Sequence, residues 1–445
     1  MNNKAIVIGG SMSGLLAARV LSDFFAEVVV IERDSLAREG EHRRGVPQSR
    51  HAHGLLAGGS DELEDLFPAI LDELVEAGAL RADVVNDGLW HFEGAPLRRS
   101  PSGTNGILLS RPLLEGGVRK RVRALRNVTI VDGVSVRGLL HADGRVVGVN
   151  TDTETLRADL VVDCSGRASK SLKWLAAMNF PRPLEEEVEM NVAYTTRLFR
   201  RRERDLNGDL FAVVPATPKK AESGVLLAQE NDRWIVGLVS RFGIQPPADL
   251  DGFREFARDL EAPYIYDAIR DAEPIGDAAT MRFPSSIRRR FERLRRHPEG
   301  FLVCGDAICS FNPVYGQGMT VAAMQAKALH DLLSVGIEDL ASRFYKAAAK
   351  VIDTPWALAV GSDLRMPETK GKRTLAGKFM GWYVSKLHKF AHTSAEAATS
   401  FLRVAQLLDD PAVLLRPGLV FKVLTNTTAR PKRAKLNRPV LARPQ

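Results

Sequence analysis

The sequence predicts an α/β fold: a Rossmann-like dinucleotide-binding domain on a parallel sheet, an antiparallel β-sheet domain inserted into it, and a helical C-terminal region. Three observations predict it. A strand–turn–helix–strand pattern opens the chain, with Lys4-Ala5-Ile6-Val7-Ile8-Gly9-Gly10-Ser11-Met12-Ser13-Gly14-Leu15 leading on to Glu32-Arg33. About three hundred residues later, Phe301-Leu302-Val303-Cys304-Gly305-Asp306 and Asn312-Pro313-Val314-Tyr315-Gly316-Gln317-Gly318-Met319 again run a strand into a Gly-rich turn and a helix. Between the two lie alternating or continuous apolar runs of strand length.

Taken in order, residues 4–9 are a short apolar run, the mark of a buried strand. Residues 13–24 carry helical periodicity, and residues 27–32 read as the next parallel strand, which makes a β-α-β unit. Val128–Val131 and Leu160–Asp163 are further strand candidates. Residues 134–140 and 145–152 form a hairpin turning at Asp143-Gly144. Residues 211–214, 223–228 and 234–239 suggest a separate antiparallel sheet, and Pro246-Pro247 breaks the chain before a helix over residues 250–260. From about residue 320 the chain is mostly helical, punctuated by Pro355, Pro367, Pro411 and Pro417. The dinucleotide-binding domain is therefore discontinuous. Residues 1–180, with the hairpin, are its first part and residues 286–345 its last. Residues 181–285 form the β-sheet substrate domain, and residues 346–445 a helical region with a basic tail.

With 445 residues, 45% hydrophobic and 26% charged, the chain has the make-up of a soluble globular protein. No apolar run is long enough to cross a bilayer. Cys164, Cys304 and Cys309 have neither metal-ligand spacing nor the pattern of a disulfide framework, which fits a reducing compartment. Met1-Asn2-Asn3-Lys4 runs straight into a strand, so a cytoplasmic location without signal peptide is expected. The net charge of +8 is concentrated in Arg200-Arg201-Arg202, Arg288-Arg289-Arg290, Arg293 with Arg295 and Arg296, and the acid-free residues 430–445. Solvated helix faces and a disordered tail are one reading of these clusters. Peripheral contact with an anionic membrane is the sharper one. No nucleic-acid partner is expected, because no binding module accompanies the charge.

A tight β-α turn needs glycine where backbone approaches a phosphate. Gly9 takes the first fingerprint position, and Gly14 lets helix and strand pack closely. Ser11 stands where a second glycine is usual, small and able to donate to a phosphate. The following helix aims its N-terminus at the pyrophosphate. Glu32 is placed to accept from ribose hydroxyls, and Arg33 to stack near adenine. In the downstream segment, Asp306 ends a strand where it can accept from sugar-alcohol hydroxyls. The turn of Pro313, Gly316, Gln317 and Gly318 leads a helix N-terminus towards the ring of a flavin, whose reduced form is anionic. The two segments together select FAD and a glutathione-reductase-type FAD-binding domain.

These residues resemble the p-hydroxybenzoate hydroxylase-like FAD monooxygenases over roughly residues 4–335. Asp163-Cys164-Ser165-Gly166-Arg167 is similar to that family's middle motif, which typically ends in Asp-Gly and is associated with FAD and NAD(P)H. Arg111, in Ser110-Arg111-Pro112-Leu113-Leu114, matches a helix-start arginine that approaches the flavin. Arg43, in Arg43-Arg44-Gly45-Val46, matches an arginine lying along the cofactor. Residues 44–56, with His51 and His53, resemble a signature of bacterial FAD epoxidases and hydroxylases of the lasalocid type. The two histidines read as structural groups or flavin contacts. They also read as a metal pair, but no third ligand is evident, so no metal is expected. The tryptophan-rich signature of flavin-dependent halogenases is missing.

The resemblance implies an oxidoreductase with no catalytic side chain of its own, in which a C4a-hydroperoxyflavin epoxidises or hydroxylates a lipophilic polyketide, isoprenoid or aromatic substrate with O₂. Electrons come from NAD(P)H, directly or through a separate flavin reductase. A flavin-dependent reductase of polyprenyl double bonds and a non-catalytic flavoprotein are the alternatives. Phe211, Leu226, Trp234 and Leu238 are read either as the far wall of an apolar substrate pocket or as sheet core. The C-terminal helices, with Trp356, Phe379, Trp382, Tyr383, Phe390 and Phe401 among lysines, are read either as a cap over the substrate cavity or as an interfacial element.

Overall fold

The computed structural model describes residues 2–36 and 47–425. The chain opens with β1 (Asn2–Ile8), α1 (Met12–Leu21) and β2 (Phe25–Ile31). Next come α2 (Ala57–Leu66), α3 (Ile70–Glu76), β3 (Leu80–Asp83), β4 (Gly88–Phe92), β5 (Ala95–Pro96) and β6 (Asn105–Leu108). Helix α4 (Arg111–Arg123) leads to β7 (Val128–Val131), β8 (Val136–Ala142), β9 (Arg145–Thr151), β10 (Thr155–Arg157), β11 (Leu160–Asp163) and α5 (Ser171–Ala177). Strands β12 (Glu185–Arg200), β13 (Phe211–Val214), β14 (Ser223–Gln229) and β15 (Arg233–Ser240) precede α6 (Leu250–Arg258), α7 (Tyr264–Ile269) and β16 (Pro274–Arg289). Then come β17 (Phe301–Val303), β18 (Cys309–Ser310), α8 (Gly318–Val335), α9 (Leu340–Asp363), α10 (Leu375–Ala391), α11 (Ala395–Ala405) and α12 (Pro417–Thr425).

Five strands form a parallel sheet in the order β17-β11-β1-β2-β7. Its central strands are apolar throughout because both faces are covered: Ala5, Ile6, Val7, Val28, Val30, Val161 and Val162 are fully buried. Helix α8 brings Ala322, Ala326 and Leu329 to this core, and α1 brings Ala17, Ala18 and Leu21. The chain leaves β1 towards β2 on one side, while β11 and β17 lie on the other. The crevice beyond the C-terminal end of β1 is thus a topological switch point, where ligands of open α/β sheets bind.

Strands β8, β9 and β10 form the hairpin-based sheet, turning at Asp143 and Gly144, both with positive φ. The larger antiparallel sheet has eight strands in the order β18-β16-β12-β15-β14-β13-β4-β5. It draws β4 and β5 from well before residue 181 and β18 from beside Asp306, so it is tied to the nucleotide-binding part at both margins. β3 and β6 pair separately.

One expectation is corrected and one open reading is settled. The Arg288-Arg289-Arg290 cluster is not a solvated helix face, although Arg200, Arg202, Arg293, Arg295 and Arg296 are exposed. Arg288 and Arg289 lie on β16 at 2% and 8% exposure. Arg288 pairs with Asp353, Arg289 with Glu185 and Arg290 with Glu186. Arg201 lies over the Trp234 ring. Secondly, of the two readings of Phe211, Leu226, Trp234 and Leu238, sheet core holds: all four are buried, and none lines the cavity described below. Leu226, Trp234 and Leu238 form a closed core with Phe253, Ala257 and Ile265 beneath α6 and α7, while Phe211 is buried edge-on against Trp90 of β4. Side chains alternate along a strand, so the opposite face of β15 meets the segment between His51 and His53: a Cβ on Gly237 would stand 3.5 Å from that of Ala52, beside Thr196 of β12.

Candidate functional site

A cavity of about 610 Å³ opens at the switch point. It is lined by the end of β1 and the turn into α1, by Glu32 and Arg33 after β2, and by Ser165, Gly166 and Arg167 after β11. Asp306 and the turn leading into α8 line it as well. The two segments distant in sequence touch directly: a Cβ on Gly305 would lie 2.5 Å from Ser13 Oγ. Gly9, Ser11, Glu32, Arg33, Arg111, Asp306, Pro313, Gly316, Gln317 and Gly318 all face this one space. Gly14 does not. It is buried beneath, where any Cβ would fall on the Gly9 carbonyl. Arg43 lies outside the described residues.

Local structure shapes the β1–α1 turn. Gly9 has φ +104°, and a Cβ there would stand 2.7 Å from the Cys164 carbonyl oxygen. The Gly9 N–H donates to Ile31 O and the Cys164 N–H to Ile8 O. Helix α1 has no side-chain cap among the described residues, and its first turn, Met12 and Ser13, lines the cavity. Glu32 is buried, yet its carboxylate accepts from the Gly10 N–H at 2.7 Å and the Asp34 N–H at 3.0 Å.

The Ser11 hydroxyl is not free to donate to a phosphate. It donates to Glu115 at 2.9 Å and accepts from Arg111 at 2.9 Å. Glu115, itself 3% exposed, pairs with both Arg111 and Arg119. This triad joins the first turn of α4 to the first turn of α1. The backbone N–H of Ser11, not its side chain, is what the position offers an anion.

On the α8 side, no hydrogen bond reaches the Asp306 carboxylate among the described residues. Its pKa is raised by burial, against the pull of Arg111 and Arg167. The Gly305 N–H donates to Gln325 of α8 at 2.8 Å. Gly316 has φ +67° and turns the chain into α8. Gln317 is 4% exposed, and its Oε1 has no partner among the described residues. An unbonded carboxylate, an orphaned buried amide oxygen and two uncapped helix N-termini around one crevice match the acceptors and donors that FAD needs. The residues present fit the group.

Sequence reasoning missed what holds this turn. Asn312 is fully buried and accepts from the Tyr194 hydroxyl at 2.9 Å, while its amide donates to Asp363 at 3.0 Å. Asp363, at the end of α9, also accepts from Arg241 at 2.8 Å and from the Tyr315 hydroxyl at 2.7 Å. Arg241 is held well above its ordinary value, despite burial, by Tyr315 and Asp363. No local pattern marks these residues, since they come from four separate elements. The middle motif also turns inward. Asp163 has no exposure and accepts from the Ser165 N–H and from the Ser165 and Ser169 hydroxyls. It shapes the loop and is not open to a ligand.

His51 Nδ1 meets the Thr196 hydroxyl at 2.8 Å, and His53 Nδ1 lies 2.8 Å from the His51 carbonyl. A carbonyl can only accept, so His53 Nδ1 carries the proton and leaves Nε2 as an acceptor. Burial lowers the pKa of both to about 4, so both rings are neutral at pH 7. His53 lines the cavity, as do Gln48 and Phe311.

Comparison with known proteins gives the setting. A family model described as tryptophan halogenase matches residues 117–180. The chain is 35% identical over 382 residues to Protein Rv3254 of Mycobacterium tuberculosis, covering 81% of this chain and 80% of that one. It is 26% identical to 6-methylpretetramide 4-monooxygenase of Streptomyces rimosus, over 77% of this chain and 78% of the relative. It is 25% identical to squalene monooxygenase of Rattus norvegicus, over 74% of this chain but 54% of the relative. Among solved structures, the flavin-dependent brominase Bmp2 shares the fold with a TM-score of 0.66 at 15% identity, over 91% of this chain and 94% of that one.

Proposed function

The chain belongs to the superfamily of FAD monooxygenases and flavin-dependent halogenases, in one family with Protein Rv3254, and from that premise we propose that it epoxidises or hydroxylates a lipophilic polyketide, isoprenoid or aromatic compound. It is an FAD-dependent oxidoreductase acting on a small molecule with O₂. The observation that carries the flavin part of this reading is one cavity lined by both Glu32 and the Asp306–Gly318 segment. The monooxygenase names of the 6-methylpretetramide and squalene relatives support oxygen insertion as its use.

When bound, FAD supplies the activation of O₂ and the transfer of oxygen. The chain's part is binding, orientation and exclusion of water. Glu32 would accept from the ribose hydroxyls, and Arg33 would stack near the adenine. The first turn of α1 would take the pyrophosphate, and Asp306 the ribityl hydroxyls. Arg111, which lines the cavity, would approach the flavin, and Arg43 would lie along the cofactor, as the resemblance implies. The α8 N-terminus, with Gln317 and Gly318, would face the flavin ring and stabilise negative charge on it. His53 would present a neutral acceptor beside the ring, since its Nδ1 proton is committed to His51 O. Electrons would come from NAD(P)H, directly or through a reductase.

The test starts from chemically reduced holoprotein with a polyprenyl alkene or a polycyclic phenol under ¹⁸O₂. Incorporation of one ¹⁸O atom into the organic product is expected, unchanged by added bromide or chloride. A saturated product formed without O₂ would establish the double-bond reductase instead. A halogenated product would establish the activity that the halogenase match favours.

A further inference from the structure

The C-terminal helices carry a surface that the proposed oxygen chemistry does not use. On α10, Leu375, Phe379, Trp382, Lys386 and Lys389 follow at steps of four, three, four and three residues, which is one stripe of a helix. All of them are exposed: Leu375 at 84%, Phe379 at 60% and Trp382 at 48%. The opposite stripe, with Tyr383, Leu387 and Ala391, is buried in the C-terminal core. Helix α12 adds Phe421 at 69% and Leu424 at 52%. It is held to α10 through Leu419 and Val423 in the same core, and the Tyr383 hydroxyl donates to Leu414 O just before it. Large apolar side chains concentrated on two adjoining helices are a patch that a monomer in water rarely carries.

Charge says what covers it. Residues 369–395 contain Lys370, Lys372, Arg373, Lys378, Lys386 and Lys389 and no acidic residue. From Pro411 to the end of the chain there are eight basic residues and again no acidic one. Lys422 pairs with Glu396, and Lys370 with Glu189. Lys372, Lys378, Lys386 and Lys389 have no ion pair among the described residues. Apolar and aromatic side chains flanked by uncompensated lysines match the acyl boundary and headgroups of an anionic bilayer. Among the described residues, no helix is long and apolar enough to span one.

The geometry points to a docking face for anionic lipid bilayers, formed by the exposed stripe of α10 with the outer face of α12. Leu375, Phe379, Trp382, Phe421 and Leu424 enter the interface while Lys378, Lys386 and Lys389 meet the headgroups. The full-length holoprotein should float with phosphatidylcholine vesicles containing phosphatidylglycerol, and not with phosphatidylcholine alone. K378Q/K386Q/K389Q should lower the partition coefficient about 100-fold, from the loss of three surface cations at about 1 kcal/mol each. F379S/W382S/F421S should abolish flotation while keeping its flavin, which shows that it is folded. Emission of the wild type should shift to the blue on binding, and W382F should lose that shift. Absence of flotation on anionic vesicles at low salt would overturn the proposal. So would flotation unaffected by these substitutions, or a homodimer in solution that F379S/W382S/F421S converts to monomer.

Discussion

Single residues set both the shape and the pH response of this molecule. Ser11 occupies the place of a fingerprint glycine, but its hydroxyl serves Glu115 and Arg111, so its backbone is what a phosphate would meet. Ser11→Gly is therefore expected to hold FAD within roughly threefold of the wild type by titration, the scale of one modest hydrogen bond. Glu115 is different. Removing it by Glu115→Ala leaves Arg111 and Arg119 without their shared anion, at a cost of about 3–5 kcal/mol in denaturant unfolding. His388 is wedged between Phe92 and Phe401, each with ring centroids 4.4 Å away, and neither nitrogen has a partner among the described residues. Burial lowers its pKa to about 3. Between that value and its ordinary one of about 6.5, the unfolded chain binds a proton that the native chain refuses. Stability is then fully present above pH 6.5 and declines as the pH falls towards 3. His388→Phe should flatten the slope by about 1.4 kcal/mol per pH unit in that window, read from denaturation midpoints.

At the scale of elements, the turn before α8 owes its shape to partners far from it in sequence. Asp363 at the end of α9 gathers Asn312, Tyr315 and Arg241, so the helix following the nucleotide-binding part locks the turn beside the cavity. Asp363→Ala should destabilise by about 3–5 kcal/mol, because Arg241 is left as a buried, unpaired charge. It should also release flavin, seen as a rise in free-flavin fluorescence. Asp363→Asn should do less of both. Strand and helix positions were largely legible in the sequence, since runs such as Phe211–Val214 and Val128–Val131 have strong local signatures. The facing of a strand was not. Period-two alternation shows that β15 has two faces, but not which one the α6–α7 pair will cover. Trp234 and Leu238 were therefore open to being read as pocket wall when they are closed core. Charge clusters misled for a related reason: an arginine run reads as solvent-facing until a partner strand brings Glu185 and Glu186 alongside it.

For the whole molecule, the parallel sheet closes only when β17 joins β11, which brings the Asp306 segment to the turn after β1. That meeting was legible because each segment carries its own glycine and acidic pattern. The Tyr194–Asn312–Asp363–Arg241 network was not, because ordinary residues acquire their roles only through the tertiary fold. The central claim is that two distant segments hold one FAD, the Glu32 segment at the adenosine half and the Asp306 segment at the flavin half. It is tested most directly by titrating flavin-free protein with FAD and with FMN, which lacks the adenosine half. Glu32→Ala should weaken FAD binding and leave FMN binding unchanged, whereas Asp306→Ala should weaken both. Protein that binds neither flavin, or a Glu32→Ala variant that loses FMN as fully as FAD, would contradict the account.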